Sequence, residues 1–281
     1  MFTHSFSQLT NVRAFRAFHA QRANPGGPFT IVVGAGASAA ATSAVDYAIG
    51  FAADNANIEL DFCHVIDIGQ LISNWDRGLG DYSIPFDEAR SKARDVAQRV
   101  CKHAEDRGIR AVVDVRYGNA ADEIIEFAER SAADLIAIGN QPCSRLRRVI
   151  YGSVRDRFVR RAATPVLLAT ASTSALPEFR PQRILVPSAD APDNASAVAF
   201  AQRFADVAGA ELIFMRATRS PASEFGVIAR FARDLEPDLI VVSRPPRSLL
   251  HDLAGTSVVD RVLSEIDIPL IVVPQSVAVA R

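Results

Sequence analysis

Lysine is nearly absent from this chain. Only Lys92 and Lys102 occur among 281 residues, so all but two of the 31 basic residues are arginine, which reads first as coding bias. No sustained excess of either charge exists, since 31 basic residues face 32 acidic ones. That balance lacks the positive field used to hold nucleic acid or anionic lipid, so neither is expected as a partner. Cysteine is scarce too: Cys63, Cys101 and Cys143 are odd in number and never spaced C-x-x-C. A disulfide framework and a structural zinc site are therefore not expected, which fits a cytoplasmic protein. No apolar run reaches the roughly 18 residues of a membrane span.

Catalytic signatures are missing as well. There is no G-x-S-x-G elbow and no G-K-[ST] phosphate loop. His4, His19, His64, His103 and His251 stand singly, outside any H-x-x-x-H spacing. His64, within an apolar strand, reads as a satisfied core histidine. His251 and Asp252 are adjacent, and adjacent residues do not face one another on a helix. Cys143 has three arginines close by (Arg145, Arg147, Arg148), yet an inert surface thiol is the simpler reading. No catalytic residue and no metal site is assigned.

What is present is apolar material, 49% of the chain, enough for a full core in one large or two small domains. Residues 1–27 carry Arg13, Arg16 and Arg22, no acid, and the breaker run Asn24-Pro25-Gly26-Gly27. They are expected to form an N-terminal arm or short helix with Val12, Phe15 and Phe18 on one face. From residue 28, short apolar runs alternate with helical ones, the pattern of βαβ units around a parallel sheet. Strands are expected at Phe29–Ala35, Ile58–Asp67, 109–117, 134–139 and 165–169. Helices are expected at about 40–53, 86–106, 120–131 and 152–162. Residues 171–182, rich in Ser, Thr and Pro, read as a linker.

The second half repeats the first. Asp134, Leu135 and Ile136 match Asp238, Leu239 and Ile240 at an offset of 104. The same offset carries Ser153, Val154, Asp156 and Arg157 onto Ser257, Val258, Asp260 and Arg261. Near the start of the second half the offset is 152, from IELDF at residue 58 to AELIF at residue 210. The 48 residues by which the offsets differ span the loop, second helix and third strand of the first copy. This is a duplicated α/β unit with one copy shortened.

Two glycine patterns invite a ligand. Gly34-Ala35-Gly36-Ala37-Ser38-Ala39 satisfies G-x-G-x-x-A, a dinucleotide fingerprint, although the nearest acid of the expected kind, Asp67, lies 33 residues beyond Gly34. Further on, Gly152-Ser153 opens a helix after a loop containing three arginines. Backbone donors at a helix start with a hydroxyl beside them suit a phosphate; equally, Ser153 suits a plain N-cap. The residues leave both open.

The spacing Gly139-x2-Pro142-x9-Gly152-Ser153 resembles the G-x2-G-x9-G-[ST] motif of nucleotide-binding universal stress proteins. The SVRDRFVRRAATPVLL that follows and the CHVID ending at Asp67 resemble that family's last helix and strand and its second strand. The resemblance implies an α/β fold of tandem doubly wound parallel sheets, of the adenine nucleotide alpha hydrolase-like type. It implies a complete domain at 28–170 and a shortened one at 183–276. The strand order would be 3-2-1-4-5 in the first and 2-1-4-5 in the second, joined inside the molecule through their fifth strands, and further homo-oligomers are compatible with it. It also implies a non-catalytic stress-response regulator, with ATP or AMP held by Gly36, Ser38, Val65, Gly139, Gly152, Ser153 and Val154. A downstream protein partner is implied without being identifiable.

The chain departs from the family pattern in several places. Gly36-Ala37-Ser38 stands where ATP-binding members have Asp-Gly-Ser, and Pro142 replaces the middle glycine. The second copy reads Ser243-x2-Pro246-x9-Thr256-Ser257, with Gly255 one residue early and Asp190 one residue late for the expected acid. Its site reads as vestigial. A nucleotide-using α/β enzyme (a slow ATPase or an NAD-dependent one) and a ligand-free pseudo-dimer are the alternative readings.

Overall fold

The computed structural model describes residues 27–53, 55–69, 71, 83–140, 154–170, 180–187, 194–216, 221–244 and 268–275. The N-terminal arm up to residue 26, most of the linker and the loop at 141–153 lie outside the described residues.

Each buried strand is a short apolar run closed by a turn. In chain order the described elements are β1 (Phe29–Ala35), α1 (Ala39–Ala53), β2 (Ile58–Asp67), α2 (Ser83–Glu105), β3 (Val113–Gly118), α3 (Ala120–Arg130), β4 (Leu135–Gly139), α4 (Val154–Arg161) and β5 (Val166–Ala169). The second half contributes β6 (Arg183–Val186), α5 (Ala195–Ala208), β7 (Glu211–Phe214), α6 (Pro221–Leu235), β8 (Leu239–Ser243) and β9 (Leu270–Val273). Local chemistry sets the ends. Asn119 caps α3, its side chain accepting from the N–H groups of Ala121 and Asp122. Gly209 closes α5 in the left-handed region at φ 66°, a conformation that glycine adopts without strain.

The strands form one nine-stranded sheet in the order β3-β2-β1-β4-β5-β9-β8-β6-β7. Every neighbouring pair is parallel except one: β5 and β9 run antiparallel, with Val166 opposite Val272, Leu167 opposite Ile271 and Leu168 opposite Leu270. The expected joining of fifth strands is thus the seam of the sheet. Among the described residues the second half supplies four strands, with β7 outermost and no counterpart of β3. The third strand is shorter than the apolar run suggests. It starts at Val113 rather than 109, because its ladder with β2 begins at the pair Phe62–Val113. The second helix begins at Ser83, three residues earlier than expected.

Alternation along the strands divides the core between the two faces. One face buries Phe29, Ile31 and Val33 under α1, α2 and α5; the other buries Val32, Ile136 and Leu168 under α3, α4 and α6. Both layers run unbroken across the seam. On the first face Phe51 of α1 and Phe204 of α5 have ring centroids 5.1 Å apart, and Phe29 of β1 lies 5.7 Å from Phe204. Phe200 stacks on Phe204 at 5.8 Å. Arg203 of α5 pairs with Asp134 at 2.6 Å, and the Asn55 side chain donates to the Val207 carbonyl at 2.5 Å. On the second face Arg244 donates to the carbonyls of Val159, Arg160 and Ala162, closing the C-terminal turn of α4 from the other half.

The repeated aspartates have a structural duty in both copies. Asp134 accepts from the Thr30 N–H at 2.8 Å, and Asp238 accepts from the Gln182 and Arg183 N–H groups at 2.7 and 2.8 Å. Each carboxylate fastens the start of its half's first strand, β1 or β6, to the start of the neighbouring strand, β4 or β8. That shared duty explains the match at those positions.

Candidate functional site

In a doubly wound sheet, ligands bind outside the carboxyl ends of the strands where the winding reverses. In the N-terminal half the chain moves from β1 outward to β2 and β3, then returns to β4 on the other side of β1. The reversal lies between β1 and β4, whose carboxyl ends run into Gly36 and Gly139. Register brings Val65 to the same level: Ala35 is opposite His64, so Val65 is the next residue up on β2. Gly36 and Val65 therefore share a level, one residue above Gly139, toward the carboxyl ends of three adjacent strands. Val65 is half-buried on the α3–α4 face, opposite Arg116 of β3.

Gly139 is a packing requirement in its own right. A Cβ at this position would fall on the backbone of Ala40 and within 2.6 Å of the Ala41 nitrogen. The bare α-carbon lets the first turn of α1 sit directly on the end of β4. Ser38 starts that turn. Its hydroxyl accepts from the Ala41 N–H at 3.2 Å, and its carbonyl accepts from the Thr42 N–H at 3.0 Å. Ser38 is thus the N-cap of α1.

The dinucleotide reading loses its turn. Gly34 lies inside β1, opposite Cys63, and a Cβ there would meet Ile124 and Ile138 at 3.2 Å. Only Gly36 reaches the turn. His64 is satisfied, as expected, its Nδ1 lying 2.9 Å from the Ala35 carbonyl. The Cys63 thiol is fully buried and pushed up to about 12, first by burial and then by Asp114. It holds its proton and has no nucleophilic use at neutral pH.

Of the remaining site residues, Val154 is the first residue of α4, while Gly152 and Ser153 lie outside the described residues, as do Pro142, Cys143 and the three loop arginines. Two charged groupings beside the site were not read from the sequence. Arg116 of β3 bridges Asp114 at 3.3 Å and Glu123 at 3.1 Å, and lies over the Phe127 ring. Asp122, in the first turn of α3, takes Arg157 and Arg161 of α4. The signal available for the second grouping was the repeat itself, which puts Gly226 opposite Asp122. Among the described residues no group of three or more metal-ligating side chains converges, and no helix is long and apolar enough to cross a membrane.

In the C-terminal half the reversal falls between β6 and β8, which end at Val186 and Ser243. Ser243 occupies the position of Gly139, and a side chain there cannot let a helix seat as α1 does. Arg244, the next residue, is committed to the end of α4. This strand end has become part of the seam.

A family model described as the universal stress protein family matches residues 29–170 and 223–274. Over 141 residues the chain is 29% identical to a universal stress protein of Methanocaldococcus jannaschii, a match covering 49% of this chain and 79% of that protein. Among solved structures, a universal stress protein from Archaeoglobus fulgidus aligns with a TM-score of 0.66 at 17% identity, covering 88% of this chain and 96% of the other. A functionally unknown protein from Pseudomonas aeruginosa aligns with a TM-score of 0.52 at 16% identity, over 88% of this chain and 92% of the other. At these identities the two structures speak for the fold.

Proposed function

This chain belongs to the universal stress protein family, and from that premise we propose that it is a non-catalytic, cytoplasmic stress-response regulator whose N-terminal half binds an adenine nucleotide, ATP or AMP. The observation that carries the reading is the coincidence of the winding reversal, with Gly36, Val65 and Gly139 around it, and the start of α4 just after Gly152-Ser153. The phosphates lie against the N–H groups of Gly152, Ser153 and Val154, where unpaired donors and the positive end of the helix favour an anion. Gly36 and Gly139 line the approach, Val65 borders the nucleoside, and Ser38 holds the first turn of α1. The chain divides into a nucleotide-binding domain at 28–170, a linker at 171–182 and a partner domain at 183–276 that supplies the seam and binds no nucleotide.

Binding is weak by design of the residues present. Gly36 stands where a carboxylate would fix the nucleoside, and Pro142 removes a loop N–H. Losing one charge-assisted hydrogen bond costs roughly 1.5–3 kcal/mol, so the dissociation constant is expected near ~100 μM rather than ~1 μM. Calorimetric titration of ATP into the wild type and Ser153→Ala tests this. A clear loss of affinity in the variant supports the reading. Tight binding untouched by the substitution puts the ligand elsewhere, and no heat at millimolar ATP leaves a structural pseudo-dimer.

A further inference from the structure

We propose that Asp122 is the positioning residue of the phosphate site, holding α4 in rotation and in axial register through Arg157 and Arg161; this rests on the nucleotide reading above. Asp122 Oδ2 lies 3.2 Å from the Arg157 guanidinium, and Oδ1 lies 2.5 Å from that of Arg161. The two arginines are four residues apart, one turn of the same face of α4. Arg244 holds only the C-terminal turn of α4; on the α3 side, two contacts a turn apart to a single carboxylate resist both rotation and sliding.

The carboxylate is itself well anchored. It sits in the first turn of α3, which is capped by Asn119 and seated through buried Ala121, Ile124, Phe127 and Ala128. Helix α4 is the opposite. It is eight residues long, and of its side chains from Arg157 onward only Phe158 is fully buried. Phe158, half-buried Val159 and the carbonyls held by Arg244 seat its second half, and the Asp122 contacts extend that hold toward its start, where the phosphate donors lie.

The repeat separates this role from folding. The C-terminal half keeps an arginine at 261, the counterpart of Arg157, but has Gly226 for Asp122 and Glu265 for Arg161. It nevertheless builds its sheet, and α6 still buries Ile228 and Ala232, the counterparts of Ile124 and Ala128. The clamp is retained only in the copy that retains Gly152-Ser153.

The test uses the full chain. Dissociation constants for ATP, and for adenosine through its competition with ATP, are measured for wild type, Asp122→Asn and Asp122→Glu, together with thermal unfolding. Asp122→Asn is expected to weaken ATP about fivefold, the size that two partly exposed ion pairs can supply. Adenosine is expected to be unchanged, and Asp122→Glu to restore ATP affinity to within about twofold. Electrostatics alone predicts the reverse sign, because removing a carboxylate beside an anion site favours the anion. ATP binding equal to or tighter than wild type in Asp122→Asn therefore overturns the proposal while the nucleotide reading stands. A loss shared equally by ATP and adenosine, with a lowered melting temperature, overturns it as a merely structural effect. A wild type that binds no ATP sinks the nucleotide reading and this proposal with it.

Discussion

The two halves of the sheet share an ancestor in sequence and differ in what their strand ends do. In the N-terminal half β4 ends in Gly139, α1 seats on it, and the reversal point stays lined by small residues. In the C-terminal half β8 ends in Ser243-Arg244, and the arginine reaches across to close α4. The same strand end thus seats a helix in one copy and serves attachment in the other. The seam needs residues from both copies. The shortened copy dispenses with the outermost strand and the second helix, which touch neither the reversal point nor the seam. Its β9 edge is kept because β5 would otherwise expose unpaired backbone groups.

The comparison is broken most severely at the aromatic contact that unites the halves. Phe204 is fully buried and touches Phe29 and Phe51 of the other copy. Phe204→Ala is expected to cost about 3–5 kcal/mol in urea unfolding, as a large-to-small change in a packed core does. A single cooperative transition that shifts as a whole would show that the halves unfold together. Two separated transitions, only one of them moved, would show two independent domains instead.

The strand ends themselves give the next largest effect. Gly139→Ala drives a methyl group into the backbone of Ala40 and Ala41, so α1 must lift from β4. Overpacking of this kind costs about 1–3 kcal/mol. Ser243→Ala, at the equivalent position, removes an oxygen and adds no atom to the end of β8, so it is expected to change stability by less than about 1 kcal/mol. Equal effects in a denaturant titration would erase the claimed difference between the two ends.

Cys63 and its counterpart sharpen the comparison most finely. The offset of 152 places Met215 opposite Cys63, and Met215 has no proton to lose. Burial raises the Cys63 thiol from 9.0 to about 12. The folded state therefore keeps a proton that the unfolded chain releases, and stability falls as pH rises through that window. The slope is about 1.4 kcal/mol per pH unit for one group. Wild type and Cys63→Ala, unfolded in denaturant at a series of pH values from 8 upward, are expected to converge as the wild-type advantage is titrated away. A constant gap would mean that the thiol ionises near its ordinary value in the folded protein.

Much of this was legible in advance because it is written in neighbouring residues. Short apolar runs bounded by turn residues located β1, β2, β4 and β5 to within a residue or so, and the gapless offset through Pro165 and Pro269 pointed to paired final strands. Ser38 was placed in the nucleotide site, and its capping of α1 was not read. The third strand was overextended: Ile109, Ala111 and Val112 precede it, yet the ladder with β2 begins only at Val113, although β2 itself starts at Ile58. The Asp122 clamp joins residues 35 and 39 positions apart, and Arg244 meets α4 across more than 80. No local pattern marks such partners. An aspartate in the first turn of a helix and an arginine after a strand are ordinary where they stand.

By itself, then, the sequence determined the order of elements, the duplication, the loss of 48 residues from the second copy and the position of the retained glycine motif. These follow from hydrophobic period and turn chemistry, both of which act over a few residues. Only the tertiary structure decided that Phe29, Phe51, Phe200 and Phe204 form one cluster across the seam, and that one degenerate strand end closes the helix of the other site. The physical reason is the single antiparallel pairing of β5 with β9. That pairing sets the two copies edge to edge, and the side-chain contacts between them follow from it.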